Sequence, residues 1–157
     1  MTFRQIASAA GLAAVAALAF NAAAWSASVE ITTASKAPLG TYLTDSAGRT
    51  VYMFTADMTG MSMCSGACAK PWPPVLTTGA PTAGSGVRAS SLGTIANGNA
   101  QQVTFDGRPL YYFIRDKAAG STAGEGITHF GGSWYVLSPA GTGILPDGKE
   151  LAAFGAK

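Results

Sequence analysis

Charge is what this sequence has least of. Only 11% of its 157 residues are Asp, Glu, Lys or Arg, and the formal net charge is +2 at neutral pH. Arg4 is the single charged residue before Glu30, so a chain that begins after residue 24 is closer still to neutrality. A surface so sparsely charged lacks the basic field that draws proteins to nucleic acid or to an anionic membrane, and neither is expected as a partner. Histidine is nearly missing as well, His129 being the only one. A hydrolase needs a nucleophile, a base and an orienting group. The sole imidazole lies in a glycine-rich loop, where a surface or hydrogen-bonded histidine is the expectation. No Gly-x-Ser-x-Gly elbow occurs. The segment Gly120-Ser-Thr-Ala-Gly124-Glu-Gly126 is not followed by Lys-Ser/Thr or by a helical pattern, which excludes a phosphate loop. After residue 24 no stretch has the length and periodicity of a helix.

What is present begins with alanine. Hydrophobic residues make up 48% of the chain, and many are alanines before position 28. Arg4, the apolar stretch 6–20 and the small residues Ala22-Ala23-Ala24 before Trp25 have the build of a signal peptide over residues 1–24. Ser26-Ala27-Ser28 offers a second cleavage point. The stretch is short of the roughly 20 strongly apolar residues that a bilayer span requires, so no transmembrane anchor is expected in the mature chain. No cysteine stands near its end to carry a lipid anchor. The expected location is the periplasm or the exterior. Cys64 and Cys68 are the only cysteines, and in an oxidising compartment they should pair. Helical i,i+4 positions hold Cβ atoms about 5–6 Å apart, whereas a disulfide wants about 3.5–4.5 Å. A tight or distorted turn is therefore expected, bent at Gly66. Cys-x3-Cys has neither the haem-attachment nor the redox-dithiol spacing.

The rest reads as one β domain over residues 39–157, behind an extended or loose lead-in at 25–38. Thr41–Thr44 and Arg49–Phe54 flank a turn signal and predict a hairpin. Trp72-Pro73-Pro74 predicts an edge or loop, because proline cannot donate to a ladder. Residues 77–91, poor in bulky side chains, are expected to be the least ordered. Strands at 92–96, 101–105 and 108–114, with turns at Asn97-Gly98 and Asp106-Gly107, predict a meander, and a last strand follows at 133–137. Aligning the strands exposes an internal repeat, about 39–76 against 92–139. Gly48-Arg49 with Tyr52, Phe54 and Asp57 coincides with Gly107-Arg108, Tyr111, Phe113 and Asp116. Each copy continues through a glycine-rich loop to a tryptophan, Trp72 or Trp134. Tyr and Phe two apart share one sheet face, and the Asp reads as a turn-forming carboxylate rather than one of a catalytic pair.

These paired Tyr-x-Phe-x-x-Asp segments have a linking pattern of Asp57, Gly60, Ser62, Cys64, Gly66, Cys68, Ala69 and Trp72-Pro73-Pro74. Together they resemble the secreted repeats of unknown function, predicted lipoproteins with a Yx(F/W/Y)xxD motif. The resemblance spans about residues 39–139 and implies a bacterial envelope protein with no established enzymatic activity. Many relatives look lipid-anchored, and in that respect this chain departs from the pattern.

One constellation stands apart. Met58, Met61 and Met63 place three of the five methionines within six residues of a loop. Thioether sulfur is a soft donor suited to Cu(I). These three, with His129 as a fourth ligand, are the candidate metal residues. The other reading is that they fill gaps against the aromatic face. The expected fold is all-β: a signal-peptide helix, then two meander-like repeats forming a small sandwich or partly open barrel. The six aromatic rings Tyr52, Phe54, Tyr111, Phe113, Trp72 and Trp134 should supply its core or rim. The expected function is an exported, non-enzymatic binding or structural module of the cell envelope, its ligand or partner unspecified and with no cofactor. The alternative is a periplasmic copper-binding protein that uses the methionine loop.

Overall fold

Turn chemistry sets the strand boundaries. Asp106 and Gly107 both have positive φ, 47° and 77°, as a two-residue type I′ turn requires. They join β7 (Ala100–Phe105) to β8 (Arg108–Pro109). β6 (Leu92–Asn97) pairs antiparallel with β7, Asn97 opposite Ala100. The turning pair is thus Gly98-Asn99, one residue later than the Asn97-Gly98 read from sequence, with Gly98 at φ 58°. The computed structural model describes residues 28–151; the signal-peptide segment 1–24 lies outside them.

In chain order the remaining strands are β1 (Glu30–Lys36), β2 (Gly40–Asp45), β3 (Tyr52–Phe54), β4 (Leu76–Thr77), β5 (Thr82–Ala83), β9 (Thr128–His129) and β10 (Gly132–Val136). They form three sheets, ordered β2-β1-β5, β3-β10-β9 and β4-β7-β6, with β8 on β7. The architecture is all-β and does not close into a barrel.

Two stretches are more ordered than their composition suggests. The extended lead-in before residue 39 is the strand β1, paired with β2 from Ile31–Asp45 to Lys36–Gly40. The anticipated hairpin occupies the other edge of β2, where Thr44 bridges Thr50 and Val51 N–H donates to Leu43. Residues 77–91 are not loose. β5 lies parallel to β1, and Gly84 N–H donates to Ile31 at 2.7 Å. The approach is close enough that a Cβ on Gly84 would fall 2.8 Å from the Thr32 Cβ. Backbone contact replaces side-chain packing here, and small residues are what permit it.

The two repeats exchange their last strands. β10, which carries Trp134 of the second copy, pairs with β3 of the first, Trp134 opposite Phe54. The segment carrying Trp72 of the first copy pairs with the second copy's Tyr-x-Phe: Tyr112 N–H donates to Pro73 and Ile114 N–H to Pro71. The prolines act only as acceptors, which is why they are tolerated. Each exchanged segment then runs on to the other copy's hairpin, Leu43 N–H donating to Leu137 and Val103 N–H to Val75. At the centre Tyr52 and Tyr111 exchange both backbone hydrogen bonds, at 2.8 and 3.0 Å. A local pseudo-twofold therefore passes between these tyrosines.

Side chains alternate about this centre. Tyr52, Phe54, Tyr111 and Phe113 join Trp72 and Trp134 in one core layer. Val51, Met53 and Leu110 point to the other, among Val75, Val103, Phe105 and Leu137, as the period of two demands. The rings form a symmetrical column. Phe113 stacks on Trp72 at 4.1 Å, Trp72 on Trp134 at 4.0 Å and Trp134 on Phe54 at 4.1 Å. Each such pair adds about 0.5–1.5 kcal/mol beyond burial. All six rings are buried, so they are core rather than rim and offer no exposed aromatic platform.

Candidate functional site

The motif aspartates are placed by the exchange. Tyr52 of the first copy donates to Asp116 Oδ2 of the second at 2.7 Å, and Tyr111 of the second lies 2.8 Å from Asp57 Oδ2 of the first. The other carboxylate oxygen of each accepts a backbone N–H from its own loop: Met63 for Asp57 at 2.7 Å, Ala123 for Asp116 at 2.8 Å. The Tyr111 hydroxyl also sits 2.7 Å from Ser62 Oγ; with one proton, it donates to the carboxylate and accepts from the serine. The aspartates are therefore ties between copies, not simple turn caps. Burial pushes the Asp57 carboxyl up to about 6 and also raises Asp116. It raises both tyrosine hydroxyls further still.

The same ties hold two related loops, so each can be compared with the other. The second is one residue longer between its aspartate and the N–H that this aspartate binds, and it is closed by Ser121 N–H on Ala118 rather than by a bridged pair. Gly60 N–H donates to Gly107 at 2.8 Å, and Gly120 N–H to Gly48 at 2.9 Å. In this register Met61 corresponds to Ser121 and Met63 to Ala123, while Lys117 and Ala118 stand where Met58 does. The second loop closes without methionine. In the first, Met58, Met61 and Met63 are 54%, 52% and 53% exposed, so the gap-filling reading is corrected: these side chains lie outside the core. Met58 and Met61 oppose each other across the turn Thr59-Gly60 and exchange hydrogen bonds at 3.1 and 3.0 Å. Directly opposed residues of an antiparallel pair project to one face. His129 belongs to a different hairpin, β9–β10, opposite Gly132, and its ring lies against Phe130 at 3.9 Å.

Beside the methionine hairpin the chain turns through Cys64 and Cys68, which are bonded, with Cα atoms 5.2 Å apart. Gly66 takes φ 56° within the turn, the bend expected of it. The disulfide is buried against the aromatic layer and anchors the loop to the Trp72 segment. A cleft of about 530 Å³ opens between Met61, Ser62 and Cys64 on one side and Ile95, Ala96 and Asn97 at the end of β6 on the other. The pseudo-symmetric position of Asn97 is held by Lys36, whose Nζ reaches Gly120 O at 3.4 Å and Thr122 Oγ1 at 3.2 Å. Asn97 turns instead to Gln102, at 3.0 Å. One copy bridges this space with a lysine and the other leaves it open.

Sequence reasoning missed Glu125. One of its oxygens accepts the Val136 N–H at 2.7 Å, the other is buried without a partner, and burial pushes the carboxyl up to about 7. A lone acid in a glycine-rich loop carries no sequence mark of burial. Among the described residues no group of three or more His, Cys, Asp or Glu assembles as a metal site; the clustered donors are thioethers.

A family model described as a secreted repeat of unknown function matches the chain twice, over residues 33–76 and 94–138. Together the two matches cover more than half of the chain. No curated protein and no solved structure matches it.

Proposed function

The chain belongs to the family of secreted repeats of unknown function, and from that premise we propose that it is a non-enzymatic binding module of the cell envelope. Its working surface is the methionine hairpin and the cleft beside it. Membership of a secreted family makes the chain an exported one. Among the described residues no helix is long and apolar enough to cross a membrane. The observation that carries the reading is the contrast between the loops. Three half-exposed methionines occupy a loop whose counterpart is held by the same backbone ties with Lys117, Ser121 and Ala123 in place of the methionines. Large apolar side chains clustered in water without a packing duty mark an interaction surface. The non-enzymatic part is supported by the groups that resemble catalytic ones. Asp57 and Asp116 are engaged on both oxygens, and His129 lies on Phe130 in another hairpin.

Hydroxyl-radical footprinting of the protein in its native envelope, beside the purified mature protein, tests the proposal. Met58, Met61 and Met63 should be oxidised readily in the purified protein and protected in the envelope. Phe130, 36% exposed on the β9–β10 hairpin, should react equally in both. Equal oxidation of the three methionines in the two settings contradicts the proposal.

A further inference from the structure

We propose that Met58, Met61 and Met63 form a trithioether site for a soft monovalent cation, Cu(I). The proposal rests on the reading above and names the ligand of that surface. Its geometric basis is the two-residue turn. Met58 and Met61 are directly opposed and exchange both backbone hydrogen bonds, so their side chains leave the ribbon on one side, from Cα atoms about 5.5 Å apart. Met63 lies two residues beyond Met61, its N–H held by Asp57 of the same loop and its side chain exposed beside the turn. Each thioether ends a flexible side chain with three rotatable bonds, and each is half exposed, which a cation entering from solvent requires.

The surroundings select the cation. Asp57, the carboxylate of the same loop, already binds the Tyr111 hydroxyl and the Met63 N–H. Both cysteine sulfurs are bonded to one another. Asp57 keeps its charge, but both of its oxygens are engaged within the fold, and the two cysteines are paired, so the donors left at the hairpin are the three thioethers. Neutral thioethers suit Cu(I), and they do not titrate. The backbone that carries them is held at both ends: Gly60 N–H on Gly107, Met63 N–H on Asp57, and the Cys64–Cys68 bond just beyond. That rigidity lowers the ordering cost of bringing three donors to one ion. The pseudo-symmetric loop keeps the backbone ties and lacks every sulfur, so the site belongs to one copy only.

The mature, disulfide-bonded protein is titrated anaerobically with Cu(I) against a competing chromophoric chelator, beside M58L/M61L/M63L protein. In parallel, Ag(I) and Zn(II) are added while the methionine methyl resonances are followed. Wild type should withdraw one equivalent of Cu(I) from the chelator, and the variant should lose that uptake. The methyls of Met58, Met61 and Met63 should shift together with Ag(I), those of buried Met53 should stay, and Zn(II) should move none of them. Equal uptake by wild type and variant overturns the site, as do methyls that fail to shift with Ag(I) or that respond equally to Zn(II). The methyl readout needs only wild-type protein and stands even if the variant folds poorly. Protection of the methionines in the envelope without Cu(I) uptake refutes this proposal and leaves the binding surface with another ligand.

Discussion

Replacing Tyr52 by phenylalanine deletes a single oxygen from the centre of the molecule. That oxygen donates to Asp116 Oδ2 at 2.7 Å and accepts the Gly124 N–H at 3.2 Å. Tyr52 is fully buried and Gly124 is buried too, so the Gly124 N–H is left without an acceptor, whereas half-buried Asp116 can turn to water. A hydrogen bond to an ionised group contributes about 1.5–3 kcal/mol, and a buried donor left without an acceptor costs about 1 kcal/mol or more. Water at Asp116 places the loss at the lower end of the range, so Y52F should lose about 2.5 kcal/mol. Tyr111→Phe breaks the equivalent tie to Asp57 and should lose a similar amount. For a domain of this size that is a fall in Tm of roughly 10 °C. Denaturant unfolding measures the loss directly and should show an unchanged slope, since neither surface nor topology changes. Titration of Asp116 followed by NMR gives a second reading. The Tyr52 bond favours its charged form, so Y52F should raise its pKa further. A loss under about 0.5 kcal/mol in either variant would refute the reasoning, and so would a large loss in one and none in the other, because the ties are held to be equivalent.

Glu125 reverses the usual acid dependence. Burial raises it from 4.5 to about 7, so the folded chain holds this proton more firmly than the unfolded one. Its contribution is greatest below pH 4.5 and is lost as pH rises to about 7, by at most about 1.4 kcal/mol per pH unit. Asp57 acts in the same direction up to about 6. Glu125→Gln should flatten the pH 6–7 part of the stability profile and exceed wild type at pH 8; a profile indistinguishable from wild type counts against burial as the cause. Removing the disulfide as C64A/C68A should cost about 2 kcal/mol from the entropy of so short a loop, with the fold kept. Chemical denaturation checks this, and loss of folding would show that the bond does more than close a loop.

The repeat was legible because one interface is built twice from the same parts. Gly48-Arg49 and Gly107-Arg108 open the two segments, and each tyrosine needs the other copy's aspartate. A sequence comparison sees the coincidence but not the crossing, since a strand that completes its own repeat and one that completes its neighbour read alike. β1 was obscured because Ile31 is its one fully buried residue, and Thr-Thr-Ala-Ser leaves little alternation to read. Residues 82–86 were obscured for a different reason. Their order comes from backbone bonds to β1 and from glycines that allow the approach, and composition scores the same glycines as looseness. The methionines were found, but sequence could not choose between packing and exposure, because a flexible thioether suits either. The pseudo-symmetric loop makes that choice.

Thermal unfolding of the M58L/M61L/M63L protein shows whether the methionine surface is separate from the fold. The three side chains are half exposed and the equivalent loop closes without them, so the substitutions should shift stability by no more than about 0.5 kcal/mol each. The Tm should stay within a few degrees of wild type, on the scale of about 4 °C per kcal/mol. A fall of roughly 15 °C would show the methionines to be packing residues and contradict their assignment as a free surface for a ligand.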